Sequence, residues 1–215
     1  MESGNLESND KTEKIQIKSV DKFENLKSDY FLQKVFNNLE AKKTLNLVKY
    51  NKSLEMRINI NINDYKEYSE KYSTIEIEIK PIKNEYGNFI HNKEEEKIYY
   101  HIYFNNNPEE IKRNNINYNE EINLIKIIIY YQVISFEDLF YDCDCIESIY
   151  FKKFYRNNIV NIRGMFYECF SLKELNLNNF NTNNVTNMIG MFWGCSDKLK
   201  LKIKSQFKNF KEEAY

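Results

Sequence analysis

A five-residue box recurs three times at one fixed interval, and that interval limits the fold more tightly than composition does. Leu139-Phe140-Tyr141-Asp142-Cys143, Met165-Phe166-Tyr167-Glu168-Cys169 and Met191-Phe192-Trp193-Gly194-Cys195 lie 26 residues apart. Other columns keep the spacing: Ile149 with Leu175 and Leu201, Phe151 with Leu177 and Ile203, Phe136 with Ile162 and Met188. Phe154 aligns with Phe180, Ile159 with Val185, and Asn161 with Asn187. Each unit offers a short aliphatic strand, a polar return, and a turn of helix around the box. One such unit cannot bury its own apolar edge, whereas stacked units bury a continuous core. Their strands would pair in parallel, ~4.8 Å apart. Matched Asn at the turns can satisfy backbone groups that would otherwise go unpaired.

The run from Phe180 to Cys195, with Val185, Met188, Met191 and Phe192 at its apolar positions, resembles the BspA-like type of leucine-rich repeat, as does the upstream run from Met165 to Leu177. The resemblance covers residues 135–207 and implies a short solenoid of about three 26-residue coils used for protein–protein contact, with no catalytic residues. On the implied strand face the outward rows are Ser148, Tyr150 and Lys152, then Glu174, Asn176 and Asn178, then Lys200, Lys202 and Lys204. Tyr150 is the best single anchor, since exposed aromatics often dominate interfaces. Plain solubilising surface is an equal alternative for these positions. Lys198 to Lys204 alternates lysine with Leu199, Leu201 and Ile203, as a terminal strand would if its lysines discouraged edge pairing. The alternative, a basic strip for nucleic acid, lacks Arg and stacking aromatics.

Upstream, the expected architecture is α+β: residues 1–27 a disordered tail, 28–70 helical, 71–121 an antiparallel hairpin region, and 122–215 the capped solenoid. Ser28 or Asp29 can cap a helix carrying Phe31, Leu32, Val35, Phe36 and Leu39. A second helix would carry Leu45, Val48, Leu54 and Ile58. From Thr74 the period changes to two: Ile75, Ile77 and Ile79 alternate with charged residues, as do Ile98, Tyr100, Ile102 and Phe104 with polar ones. These two runs are expected to pair with each other. Ile122 to Val133 reads as a third strand, too apolar for an exposed edge, that opens the solenoid. Tyr30 to Leu39 followed by Leu45 to Tyr50 also resembles the start of an F-box, which implies a substrate receptor for a cullin-type ubiquitin ligase. Two amphipathic helices docked on the neighbouring sheet are the alternative.

Charge and motif content point to binding rather than chemistry. The 215 residues carry 31 Lys and Arg against 32 Asp and Glu, so no global field favours nucleic acid or an anionic membrane. The 32 Asn and 26 Ile, beside only 5 Gly and 2 Pro, fit an AT-rich coding bias more than a function. No phosphate-loop, dinucleotide, nucleophile-elbow or zincin motif occurs, and Glu94 to Glu96 reads as a solvated loop. Cys143, Cys169 and Cys195 share one column, with Cys145 beside the first, and read as small buried apolar residues. Paired CxxC knuckles are absent, and His91 and His101 are distant in sequence, so no metal is expected. Met1 to Asp10 lacks an apolar core, and the longest apolar run, Leu124 to Ile134, is too short to span a bilayer. The expectation is a cytoplasmic, non-enzymatic protein with a protein partner and no cofactor, nucleic acid, membrane or small-molecule substrate.

Overall fold

Alternation of isoleucine with charge at Ile75 to Lys80 produces β1 (Ile75–Pro81), whose three isoleucines are fully buried. The computed structural model describes residues 26–215 apart from 38, 40, 50 and 179. Within it the chain divides into two units, 1–68 and 69–215.

The second unit is built on one six-stranded sheet. Besides β1 it contains β3 (Tyr100–Phe104), β4 (Glu110–Ile111), β6 (Ile125–Ile129), β7 (Ile146–Lys153) and β8 (Glu174–Asn176). Its order is β4-β3-β6-β1-β7-β8, while β2 (Gly87–Asn88) and β5 (Asn115–Ile116) pair separately. All neighbours run antiparallel except β7 and β8, which are parallel. The expected hairpin between the Ile75 and Tyr100 runs is therefore corrected: β6 inserts between them, pairing Ile77 with Ile127 and Ile102 with Ile127 on its other side. Ile125, Ile127 and Ile129 are fully buried and Ile128 is half-buried, so β6 can occupy a central position. Ile98 does not join the strand; it is exposed on a 3-10 helix, Glu94–Tyr99.

The box turns stack at the 26-residue interval. Phe140 N–H donates to the Met165 carbonyl, Phe166 to Met191 and Phe192 to Ala214, at 2.9, 2.9 and 2.7 Å. Parallel bridges join Ser135 to Asn161 and Asn161 to Asn187. Under them runs a column of rings, Phe140, Phe166, Phe192 and Tyr215, with successive centroids 5.5, 5.8 and 5.4 Å apart.

The expected leucine-rich-repeat solenoid is nevertheless overturned. The sheet is mixed and does not curl into repeating coils. On one side β7 pairs antiparallel with β1 instead of with another coil. On the other, β8 spans only three residues. In the third repeat the segment expected as a terminal strand is a helix, α5 (Asp197–Gln206). Ser196 caps it, its hydroxyl accepting from Leu199 N–H at 3.3 Å, and Asp197 complements the helix dipole in the first turn. Leu199 and Ile203, four residues apart, bury on one helical face, and Leu201, expected to point inward, is 68% exposed.

The first unit is helical: α1 (Asp29–Asn37), α2 (Ala41–Val48), α3 (Lys52–Arg57) and the start of α4 (Ile62–Tyr72). Ser28 caps α1 through Phe31 N–H at 3.3 Å. The expected second helix is split, because Asn51 accepts from Leu54 N–H at 2.9 Å and starts α3 afresh. Leu32, Phe36, Val48 and Leu54 form its small core. The α4 helix buries no residue fully. Of residues 1–27, expected as a tail, 1–25 lie outside the described residues.

Candidate functional site

Two surfaces of the second unit are candidates for a site, and the first is where the sequence places the outward rows. Ser148 is buried on β7, so it presents nothing to solvent. Tyr150, Glu174, Asn176, Asn178 and Lys202 do come together, lining one shallow cleft with Leu175 and Gln206. Tyr150 spends its hydroxyl on Glu174, to whose carboxylate it donates at 2.5 Å. Lys152 pairs with Glu78 at 3.2 Å. Lys200, Lys202 and Lys204 sit on α5 and not on a strand, with Lys200 paired to Asp197 and Lys204 to Glu212, both at 3.0 Å. Ion pairs and hydrogen bonds within the molecule thus occupy most of this surface. The strand face that was to bind a partner does not exist as a leucine-rich-repeat face, because its third row belongs to a helix.

The second surface comes from the third position of the repeated box. In each box the second residue, Phe, faces the core, so the next side chain turns outward. Tyr141, Tyr167 and Trp193 therefore form an outward row. Backbone bonds set its register: Asp142 N–H donates to the Tyr167 carbonyl at 2.8 Å, and Glu168 N–H to the Trp193 carbonyl at 2.7 Å. The Tyr141 and Tyr167 rings stack, and His91 meets the Tyr141 ring edge-on at 6.4 Å. A Cβ on Gly190 would touch the Tyr167 ring at 3.6 Å, so that ring lies over bare backbone on the way to Trp193. Trp193 is 57% exposed, and Phe170 and Ile189 in the adjoining turns are 58% and 55% exposed. Among the described residues no ring stacks on Trp193. The repeated Tyr, Tyr, Trp column was visible in the sequence, but its exposure depends on which way each box turn faces.

Carboxylates border the row. The Tyr141 hydroxyl donates to Glu168 at 3.3 Å, and the nearby Glu168 charge holds the Tyr141 phenol above its ordinary pKa, with burial and Asp142 adding to the effect. Arg163 answers Glu137 at 3.3 Å and approaches Asp138 at 4.0 Å. No cation among the described residues pairs with Asp142, Asp144 or Glu168.

Several groups that could do chemistry are engaged within the fold. All four cysteines are buried and free. Cys169 donates to the Phe140 carbonyl at 2.8 Å and Cys195 to the Phe166 carbonyl at 3.1 Å. Burial raises every thiol, Cys145 to about 11 and Cys195 to about 12, which suppresses the reactive thiolate. His101 Nδ1 lies 3.0 Å from Glu110. The fully buried Arg156 donates to the carbonyls of Tyr130 and Val133 at 2.9 and 3.0 Å, and burial lowers its pKa to about 10, so it stays charged as a structural clamp. No group of His, Cys, Asp and Glu among the described residues is placed to hold a metal. No helix among them is long and apolar enough to cross a membrane.

Residues 110–212, just under half of the chain, match a family described as "Mycoplasma protein of unknown function, DUF285". No curated protein and no solved structure matches the chain. The match covers the repeats and stops short of the helical unit. It replaces the resemblance to BspA-like leucine-rich repeats, which the open mixed sheet also contradicts. The F-box resemblance falls with it: the expected helical pair is several short helices, and no match reaches them.

Proposed function

We propose that this chain is a non-enzymatic binding protein that engages a protein partner through the row Tyr141, Tyr167 and Trp193. The observation that carries the reading is the exposure of Trp193, Phe170 and Ile189 on stacked turns beside two stacked tyrosines. Exposed aromatics fixed by a rigid scaffold lose little conformational freedom on binding, and Trp and Tyr supply a large share of interface energy. The buried thiols and the backbone-bound Arg156 support a structural role for the groups that could otherwise act chemically. Four free cysteines fit a reducing compartment, and we assign the protein to the cytoplasm on that ground.

Capture from the native cell tests the reading. Wild-type protein should retain a partner that the Tyr167→Ser, Trp193→Ser double variant loses and Tyr150→Ser keeps. Retention by the double variant would refute the row.

A further inference from the structure

The exposed row has a chemical preference written into its border. Asp142, Asp144 and Glu168 stand in the same box turns as the rings, and none has a cationic partner among the described residues. Glu168 touches both ends of the row: its N–H bonds the Trp193 carbonyl at 2.7 Å and its carboxylate accepts from Tyr141 at 3.3 Å. Gly194, next to Trp193, lies so close that a Cβ there would come within 3.0 Å of Glu168 Cα. The Glu168 backbone is thus packed against the chain at Trp193 and Gly194, while its carboxylate reaches the Tyr141 hydroxyl, so a carboxylate with no cationic partner among the described residues lies within the aromatic row. A planar cation can lie over an aromatic face while donating to an adjacent carboxylate, and the indole is the strongest such face. The chain's net charge is only -1, so this anionic border is a local excess and not a property of the whole surface. An anionic partner such as nucleic acid would meet repulsion here.

Resting on the reading of the row as a docking surface, we infer that its occupant is a protein segment rich in Arg and Lys that runs along the row, with guanidinium groups laid on its exposed rings from Tyr141 to Trp193 and others paired with Asp142, Asp144 and Glu168. Arginine should be preferred to lysine, because its planar fork both stacks and chelates.

Trp193 is the single tryptophan of the chain, so its fluorescence reports the site directly. The full-length protein is titrated with three glycine-spaced peptides carrying four Arg, four Glu or four Ser. The Arg peptide should give a saturable change at least tenfold tighter than the others, weakened by salt. The triple variant Asp142→Asn, Asp144→Asn, Glu168→Gln should lose at least tenfold of that affinity while its peptide-free emission spectrum and melting temperature stay as in wild type. Equal response to the Ser or Glu peptide, or unchanged Arg binding by the triple variant, overturns the inference. If capture of the native partner still needs Tyr167 and Trp193 while the Arg peptide fails, the row stands and only the basic occupant is wrong. If capture ignores both rings, the row and the occupant fall together.

Discussion

The rings of Tyr141 and Tyr167 stack with centroids 5.3 Å apart and planes 13° from parallel, one repeat interval apart in sequence. Directly inside them Phe140 and Phe166 stack at 5.5 Å and 6°. The same turn therefore supplies two aromatic columns, one buried and one exposed. Their backbone ladder is shared, yet their roles are separable by mutation.

Truncating the inner column should damage stability far more than truncating the outer one. Phe166→Ala removes a fully buried ring and should cost roughly 3–5 kcal/mol. Tyr167→Ala loses mainly a half-exposed stacking contact, about 1 kcal/mol. Urea unfolding monitored by circular dichroism checks the order, and equal losses would dissolve the distinction between the columns.

Two glycines of the third box turn, Gly190 just before the box and Gly194 within it, should differ in tolerance. Gly190 and Gly194 both have positive φ, +61° and +76°. Alanine at either position costs roughly 1–2 kcal/mol of backbone strain. At Gly194 the new Cβ also meets backbone atoms of Glu168 at 3.0 and 3.2 Å, whereas at Gly190 the nearest atom is 3.6 Å away. Gly194→Ala should therefore lower the melting temperature more than Gly190→Ala, and a reversed order would count against the close approach of Glu168 and Gly194.

Acid should weaken the lateral ties of the sheet. Hydrogen bonds from Lys80 and then Lys173 hold the Glu147 carboxyl below its ordinary pKa. A lowered folded pKa means that ionised Glu147 favours the fold. That contribution is complete above the ordinary value of 4.5 and is lost as pH falls through the lower folded value. The stability gap between wild type and Glu147→Gln should close as pH drops below 4.5, in a series of thermal melts. A gap that widens in acid would contradict the assignment.

The thiols offer a count. With Cys143, Cys145, Cys169 and Cys195 all buried and free, the native protein should react with a thiol reagent only as fast as it opens. In denaturant all four should react at once. A fast-reacting thiol in the native state would require an exposed cysteine.

Much of this was legible from spacing alone. The period of two marked β1, and the buried isoleucines of β6 announced a strand too apolar for an edge. The 26-residue interval located the stacked turns and their ring column. Spacing failed where one pattern serves two structures. Leu199 and Ile203 share a face in a strand and also in a helix, and the Ser196 cap with Asp197 behind it decided for the helix. Strand partners were hidden as well, since β1 pairs with β6 and β7 across long stretches of sequence and alternation does not encode its partner. The exposed row was in plain view as Tyr141, Tyr167 and Trp193, but only the direction of each turn separates it from the buried Phe beside it.

The central claim rests on Trp193 and Tyr167, and titration calorimetry of the captured partner against three purified proteins tests it most directly. The Tyr167→Ser, Trp193→Ser variant should bind at least about thirtyfold more weakly than wild type, the loss of roughly 2 kcal/mol expected of an interface hot spot, while Tyr150→Ser binds as wild type does. Equal affinity for wild type and the double variant, with both folded, would contradict the account.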